Sequence, residues 1–188
     1  MKILKWILTA LAVAATGLMV FLWYMDMFSK PVISERVIGP YTIAYEDYMG
    51  PYKNTGKVFE TVYNNLMADG IETTKGLGIY YDDPQKVPAE KLRSRCGSVV
   101  EENDIPKLML MEKKYNIATI NQAQSVVIEF PIKNNLSYMM GPMKNYPVLT
   151  KYAKAREYQL NSLAYELYDI PNKKIYFIME IKKENLED

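Results

Sequence analysis

The longest run of apolar positions comes first. Trp6 to Met25 reads WILTALAVAATGLMVFLWYM, twenty residues without a charge. At about 1.5 Å of rise per residue, a helix of this length spans roughly 30 Å, the hydrocarbon thickness of a bilayer. Trp6 sits at one end and Trp23-Tyr24 at the other, where amphipathic rings favour the two interfaces. A cleavable signal peptide is the competing reading, with Lys2 and Lys5 as its basic region and Ala12-Val13-Ala14 as a small-residue site. The apolar stretch continues through Gly17 to Trp23, beyond an ordinary signal core, which favours an uncleaved anchor.

After the span the pattern shortens. Tyr41-Thr-Ile-Ala-Tyr-Glu46 is rich in β-branched and aromatic residues and reads as a strand. Gly50-Pro51 breaks it, and Asn54 or Thr55 can cap a helix running to Asp69. Val58, Val62, Leu66 and Phe59, Tyr63, Met67 recur at i+4 and give that helix a wide apolar stripe, with Gly70 as a left-handed cap. Leu77 to Tyr81 and Ser98 to Glu101 are strands, with a short helix over Pro88–Arg93 between them. The second half repeats the sequence of elements. Ser125–Phe130 is a strand, Pro147 opens a helix through Leu149, Tyr152, Ala153, Arg156 and Leu160, and Leu163–Leu167 and Ile175–Ile181 are strands.

The halves also share motifs in the same order. Met49-Gly-Pro-Tyr-Lys-Asn54 returns as Met140-Gly-Pro-Met-Lys-Asn145, and Tyr81-Asp-Asp-Pro84 as Tyr168-Asp-Ile-Pro171. Gly97-Ser-Val-Val-Glu101 is echoed by Ile175-Tyr-Phe-Ile-Met-Glu180. An insertion over 132–139 accounts for the change in offset. The expectation is an α+β fold: two β-α-β-β units in a pseudo-twofold arrangement, forming a mixed sheet with both helices on one face. The opposite face would be a shallow groove along the axis. The domain plan is an N-terminal anchor over 1–29 and one soluble domain over 30–188, its units about 32–102 and 115–182.

Charge and composition narrow the function. Setting aside Lys2, Lys5 and Asp26 leaves 21 basic and 21 acidic residues, a neutral domain without the basic footprint of a nucleic-acid binder. Lys2 and Lys5 before the span put the N-terminus in the cytoplasm and the domain on the far side, periplasmic or extracellular. The chain contains no histidine and one cysteine, Cys96, which excludes Ser-His-Asp and Cys-His catalysis, the common zinc sites and an intramolecular disulfide. No metal or cofactor is expected. Sixteen tyrosines against five phenylalanines and two tryptophans suit half-wet surfaces and ligand clefts.

With these motifs the chain resembles the GyrI-like small-molecule-binding family, built from two SHS2 units. Carrying the resemblance are Gly50-Pro51 and Gly141-Pro142, then Val87-Pro-Ala-Glu-Lys-Leu-Arg93 leading into Cys96-Gly-Ser-Val-Val100. Tyr165-Glu-Leu-Tyr-Asp169 followed by Ile175-Tyr-Phe-Ile-Met179 completes it, so that residues 32 to 182 are covered. The family includes effector-binding domains of multidrug-sensing regulators and a gyrase-inhibitory protein. Here an anchor stands in place of a DNA-binding helix-turn-helix, so a regulator role is not expected. An anchored animal ER-phagy receptor shares the superfamily, but its long recruitment tail has no counterpart here and its function is not expected to carry over.

The resemblance implies a site. A family carboxylate on the penultimate strand faces the groove and meets cationic or polar ligands, and the matching residue is Glu166. Strand alternation puts Tyr168 on its face and, by the Tyr81/Tyr168 alignment, Ile79 and Tyr81 on the matching face of the first unit, with Tyr45 as a further ring. A glutamate walled by rings suits a lipophilic cation, each ring adding roughly 0.5–2 kcal/mol. The expected function is a membrane-tethered module that captures a small amphipathic or cationic molecule. Two alternatives stand beside it. In one, some family members hydrolyse electrophiles with a groove glutamate as base; in the other, a scaffold binds a protein partner. Asp82-Asp83 and Glu101-Glu102 are paired acids at strand ends, read as solvated.

Overall fold

A computed structural model describes residues 2–182, with the backbone alone for 161 and 162; the last six residues of the expected domain lie outside the described residues. The chain forms helix α1 (Lys2–Tyr24), strands β1 (Ile33–Ile38) and β2 (Tyr41–Met49), helix α2 (Thr55–Ala68), and strands β3 (Lys75–Tyr80) and β4 (Arg93–Val100). A short helix α3 (Ile105–Met109) and strand β5 (Asn116–Ile120) lead to the second half. That half comprises β6 (Ala123–Pro131), α4 (Ser137–Lys154), β7 (Gln159–Asp169) and β8 (Lys174–Lys182). The fold is α+β, with β-α-β-β order in each half. Helix α1 is long and apolar enough to cross a membrane, and none of its apolar window is buried in the protein.

All eight strands join one sheet in the order β1-β6-β8-β7-β3-β4-β2-β5. A mixed sheet was expected, but every neighbouring pair is antiparallel. The reason lies in the crossovers. Helix α2 joins β2 to β3, which run in one direction, but β4 inserts between them; β8 does the same between β6 and β7. Strands β1 and β5, not anticipated from the sequence, extend the two edges. At the centre β3 of the first unit pairs with β7 of the second, Gly78 opposite Glu166.

Helices α2 and α4 cover one face, each over its own core. Val62 and Leu66 of α2 pack with Ala44, Val100 and Leu108, while Leu149 of α4 packs with Val126, Ile128, Phe130, Ile175 and Phe177. The other face carries a third cluster of Ile43, Leu77, Ile79, Val99, Val127, Tyr165 and Ile178. Gly70 ends α2 at φ +70°, as expected of a left-handed cap, and the Ile71 N–H reaches back to the Leu66 carbonyl at 2.9 Å.

The two Gly-Pro motifs are not equivalent. Gly50-Pro51 precedes α2, with Gly50 at φ +145°, whereas Gly141-Pro142 lies inside α4. Helix α4 begins at Ser137 rather than Pro147, and it contains both Pro142 and Pro147. The buried stripe Ser137, Gly141, Asn145, Leu149 and Ala153, spaced at i+4, shows why. Packing along that stripe outweighs the interior proline penalty of about 3 kcal/mol. Gly141 serves close approach: a Cβ there would stand 2.7 Å from the Phe177 ring.

Candidate functional site

The central β3–β7 pair makes the floor of a cleft between α2 and α4. Gly76 faces Tyr168, Gly78 faces Glu166 and Tyr80 faces Ala164, so these side chains share one side of the sheet. That side is the helix-covered one. The groove expected on the opposite face is therefore corrected: the two helices stand apart over the unit boundary and leave the cleft between them. It encloses about 2320 Å³, open to solvent. Ordinary small-molecule sites run to about 300–1,000 Å³, so the cleft as a whole is larger than such a site.

Glycines make that floor possible. A Cβ on Gly78 would lie 2.8 Å from the Tyr80 ring, and one on Gly76 would touch both Tyr168 and Phe59. Two strand positions without side chains let large rings lie across β3. Phe59 of α2 meets Tyr168 edge-on at 5.2 Å between centroids, and Tyr52 meets Tyr80 likewise at 4.8 Å. Tyr138, from the segment read as an insertion, tilts against Tyr168 at 5.7 Å, so that segment does reach over the cleft.

Glu166 sits at the centre, only 4% exposed. Its Oε1 accepts from the Tyr146 hydroxyl at 2.9 Å and its Oε2 from the Tyr168 hydroxyl at 2.5 Å. With its proton given to the carboxylate, the Tyr168 oxygen is an acceptor for the Tyr80 hydroxyl 2.9 Å away. Burial pushes the Glu166 carboxyl up to about 7, against the two tyrosine bonds, which favour the ion. Among the described residues, no lysine or arginine offsets its charge. Burial first, then the Glu166 charge, drives Tyr80, Tyr146 and Tyr168 well above the usual phenol value, so all three remain protonated donors.

Of the four residues expected at the site, Glu166 and Tyr168 come together. Tyr81 and Tyr45 do not. Both pack against the cluster on the opposite face, Tyr81 under Arg93 at 5.9 Å and Tyr45 under Arg95 at 3.8 Å. Aligning Tyr81 with Tyr168 misplaces the register by one residue, and a one-residue slip moves a side chain to the other face. Tyr80 is the ring that shares the face of Glu166. Tyr45 follows Ala44, which faces α2, so it must point away. Sequence reasoning also missed Tyr146 and Phe59. The one available signal was Gly76-Leu-Gly78, alternate glycines on one row of a strand.

Of the paired acids read as solvated, Asp82 is not: its side chain is only 11% exposed at the cleft's rim and binds Arg93 through two oxygens, while Asp83 pairs with Lys86 and Glu101 with Lys75.

No family model matches the chain. Testis-expressed protein 264 of Homo sapiens is 28% identical to it over 122 residues, and the homologue of Mus musculus 27%. These alignments take in 62% of this chain but only 37% and 38% of those proteins, so the chain spans well under half the length of the curated relatives it matches. Among solved structures, the EcmrR C-terminal domain superposes with a TM-score of 0.60 at 12% identity, covering 82% of this chain and 99% of that domain. The EcmrR chain in a complex with DNA gives 0.58 at 12% identity, with 96% of this chain and 69% of that one covered. An uncharacterized conserved protein from Listeria innocua gives 0.50 at 10%, covering 86% of this chain and 98% of that one. The likeness is one of fold, and it is consistent with a GyrI-like architecture.

Proposed function

We propose that this protein is a membrane-tethered, GyrI-like binding module that takes a small amphipathic cation into the cleft between α2 and α4. Residues 1–29 are its anchor and the remainder its ligand-binding domain, held across the membrane from a cytoplasmic N-terminus. The observation that carries the reading is a single one. Glu166 is buried at the floor of an open cleft, answered by tyrosine hydroxyls and, among the described residues, by no cation. Ionising a carboxylate there is unfavourable until a positive partner arrives, and the rings of Phe59, Tyr80, Tyr138 and Tyr168 supply apolar area and cation–π attraction to that partner. An uncharged hydrocarbon would leave the carboxylate without a counter-charge, and a hydrophilic cation would waste the rings.

The test is thermal stabilisation of the full chain in detergent by tetraphenylphosphonium, a permanently charged lipophilic cation, beside Glu166→Gln. A shift in the wild type that disappears in the variant supports the reading. Equal shifts in both refute it.

One feature favours a second reading. A carboxyl pushed up to about 7 beside tyrosine donors is also suited to act as a general base towards water in the hydrolysis of a small electrophile. Turnover of an activated ester or epoxide, lost in Glu166→Gln, would establish it.

A further inference from the structure

The junction between α1 and the domain is a built contact rather than a free linker. Met25 is buried, and its sulfur lies 3.3 Å from the Asn134 side-chain nitrogen. The last carbonyls of α1 carry the negative end of the helix dipole. Lys133 answers one of them, donating to the Tyr24 carbonyl, and Lys144 grips the turn that follows, donating to the Asp26 carbonyl and lying 2.7 Å from the Ser29 hydroxyl. Lys133 precedes α4 and Lys144 lies within it, so the end of α1 is clamped to the start of α4.

That clamp fixes what else must lie beside the end of the span. Residues 136–143 are Leu-Ser-Tyr-Met-Met-Gly-Pro-Met, without a charge. Ser137 and Gly141 face the sheet, which turns Leu136, Met139 and Met143 to the other side of α4. They are 42%, 58% and 71% exposed. All three also line the cleft above Glu166. An apolar ridge of two methionines and a leucine, flanked by lysines and pinned to the end of a bilayer-length helix, has the make-up of an interfacial helix.

We propose that this ridge rests in the bilayer interface, so that the mouth of the cleft opens on lipid and its ligand arrives from the membrane rather than from water. The proposal rests on the reading of α1 as a membrane anchor and of the cleft as the binding site. It narrows the ligand class to cations that partition into lipid.

The experiment uses the full chain in phosphatidylcholine–phosphatidylglycerol vesicles, labelled with the fluorophore NBD at Met143→Cys, at Met139→Cys or, as a control, at Leu110→Cys. Leu110 is 88% exposed and lies just past α3 of the other unit. Native Cys96 is fully buried, its thiol pushed up to about 12 by burial, so it does not compete for the label. Doxyl-labelled lipids should quench 139 and 143 strongly and leave 110 unchanged. Quenching at 139 and 143 no greater than at 110, in protein that resists alkaline carbonate extraction, overturns the proposal while the anchor reading stands. Extraction of the protein by carbonate overturns both. A blue-shifted NBD signal at 143 without lipid quenching means that protein, the chain's own cleft or a second copy, covers the ridge, and this too refutes the proposal.

Discussion

Replacing Glu166 by Gln should change the pH dependence of stability more than stability itself. The carboxyl stands at about 7 in the folded protein, against an ordinary 4.5. Below pH 4.5 both folded and unfolded chains hold the proton, and the group contributes nothing. Between those values the unfolded chain releases the proton while the folded chain keeps it, so stability falls as pH rises. Above pH 7 the folded chain carries a buried ion, a penalty of about 3 kcal/mol at 1.36 kcal/mol per pKa unit. Glutamine matches the shape, accepts from one tyrosine and donates to the other, and cannot ionise. The difference in stability between Glu166→Gln and wild type should therefore move in favour of the variant by about 2–3 kcal/mol between pH 5 and pH 8. For a chain of this size that corresponds to roughly 5–10 °C in relative Tm. Circular dichroism melts of both proteins in the same detergent at the two pH values measure it. A difference between the two proteins that stays constant across that range would mean that Glu166 does not titrate in a desolvated site, and the electrostatic basis of the cleft would fall with it.

The same carboxyl sets the pH dependence of binding. Affinity for tetraphenylphosphonium, measured by calorimetry, should be about tenfold weaker at pH 6 than at pH 8, because about a tenth of Glu166 is ionised at the lower pH; a flat profile would remove Glu166 from the site. Tyr168→Phe deletes a bond that favours the ion, so the stability transition assigned to Glu166 should move to higher pH in the same melts, and a move to lower pH would contradict the hydrogen-bond assignment. Gly78→Ala places a methyl 2.8 Å from the Tyr80 ring and should lower stability by about 1–3 kcal/mol in urea while weakening the cation, whereas full retention of both would show that Tyr80 is not seated on β3. Tyr81→Phe lies on the opposite face and should leave cation affinity unchanged; a large loss would restore Tyr81 to the site.

Much of the fold was readable because period and punctuation agree. The Val62–Leu66 core of the α2 stripe, its end at Gly70, and the β-branched runs at Tyr41–Glu46 and Ser125–Phe130 fell where the structure has them, whereas Tyr63 and Met67, read into the same stripe, are exposed. What escaped was set by tertiary contact. β1 is short, with half-buried residues and no alternation of faces, and it becomes a strand by pairing with β6. Helix α4 runs through two prolines, because its stripe gains more against Phe177 and its neighbours than the lost N–H bonds cost. A rule that lets proline open a helix places the boundary at Pro147, and only the packing places it at Ser137.

Which candidate residues share a face was legible in one half and misread in the other, and the cause is geometric. Glu166 and Tyr168 are two apart on one strand, so alternation alone puts them together. Joining them to the first unit required a register across the unit boundary, and motif alignment is accurate only to a residue or so. Sheets do not tolerate that error: Tyr80 and Tyr81 are chain neighbours, yet one closes the hydrogen-bonded chain to Glu166 and the other packs on the far face. The missing constraint was volume. Rings can lie over β3 only where the strand has no side chains, and Gly76 and Gly78 are the positions that qualify. They face the same side as residue 80, not 81. Alternate glycines in an otherwise apolar strand therefore fix which face is the aromatic one, and here they fix the register better than the similar motifs of the two halves do.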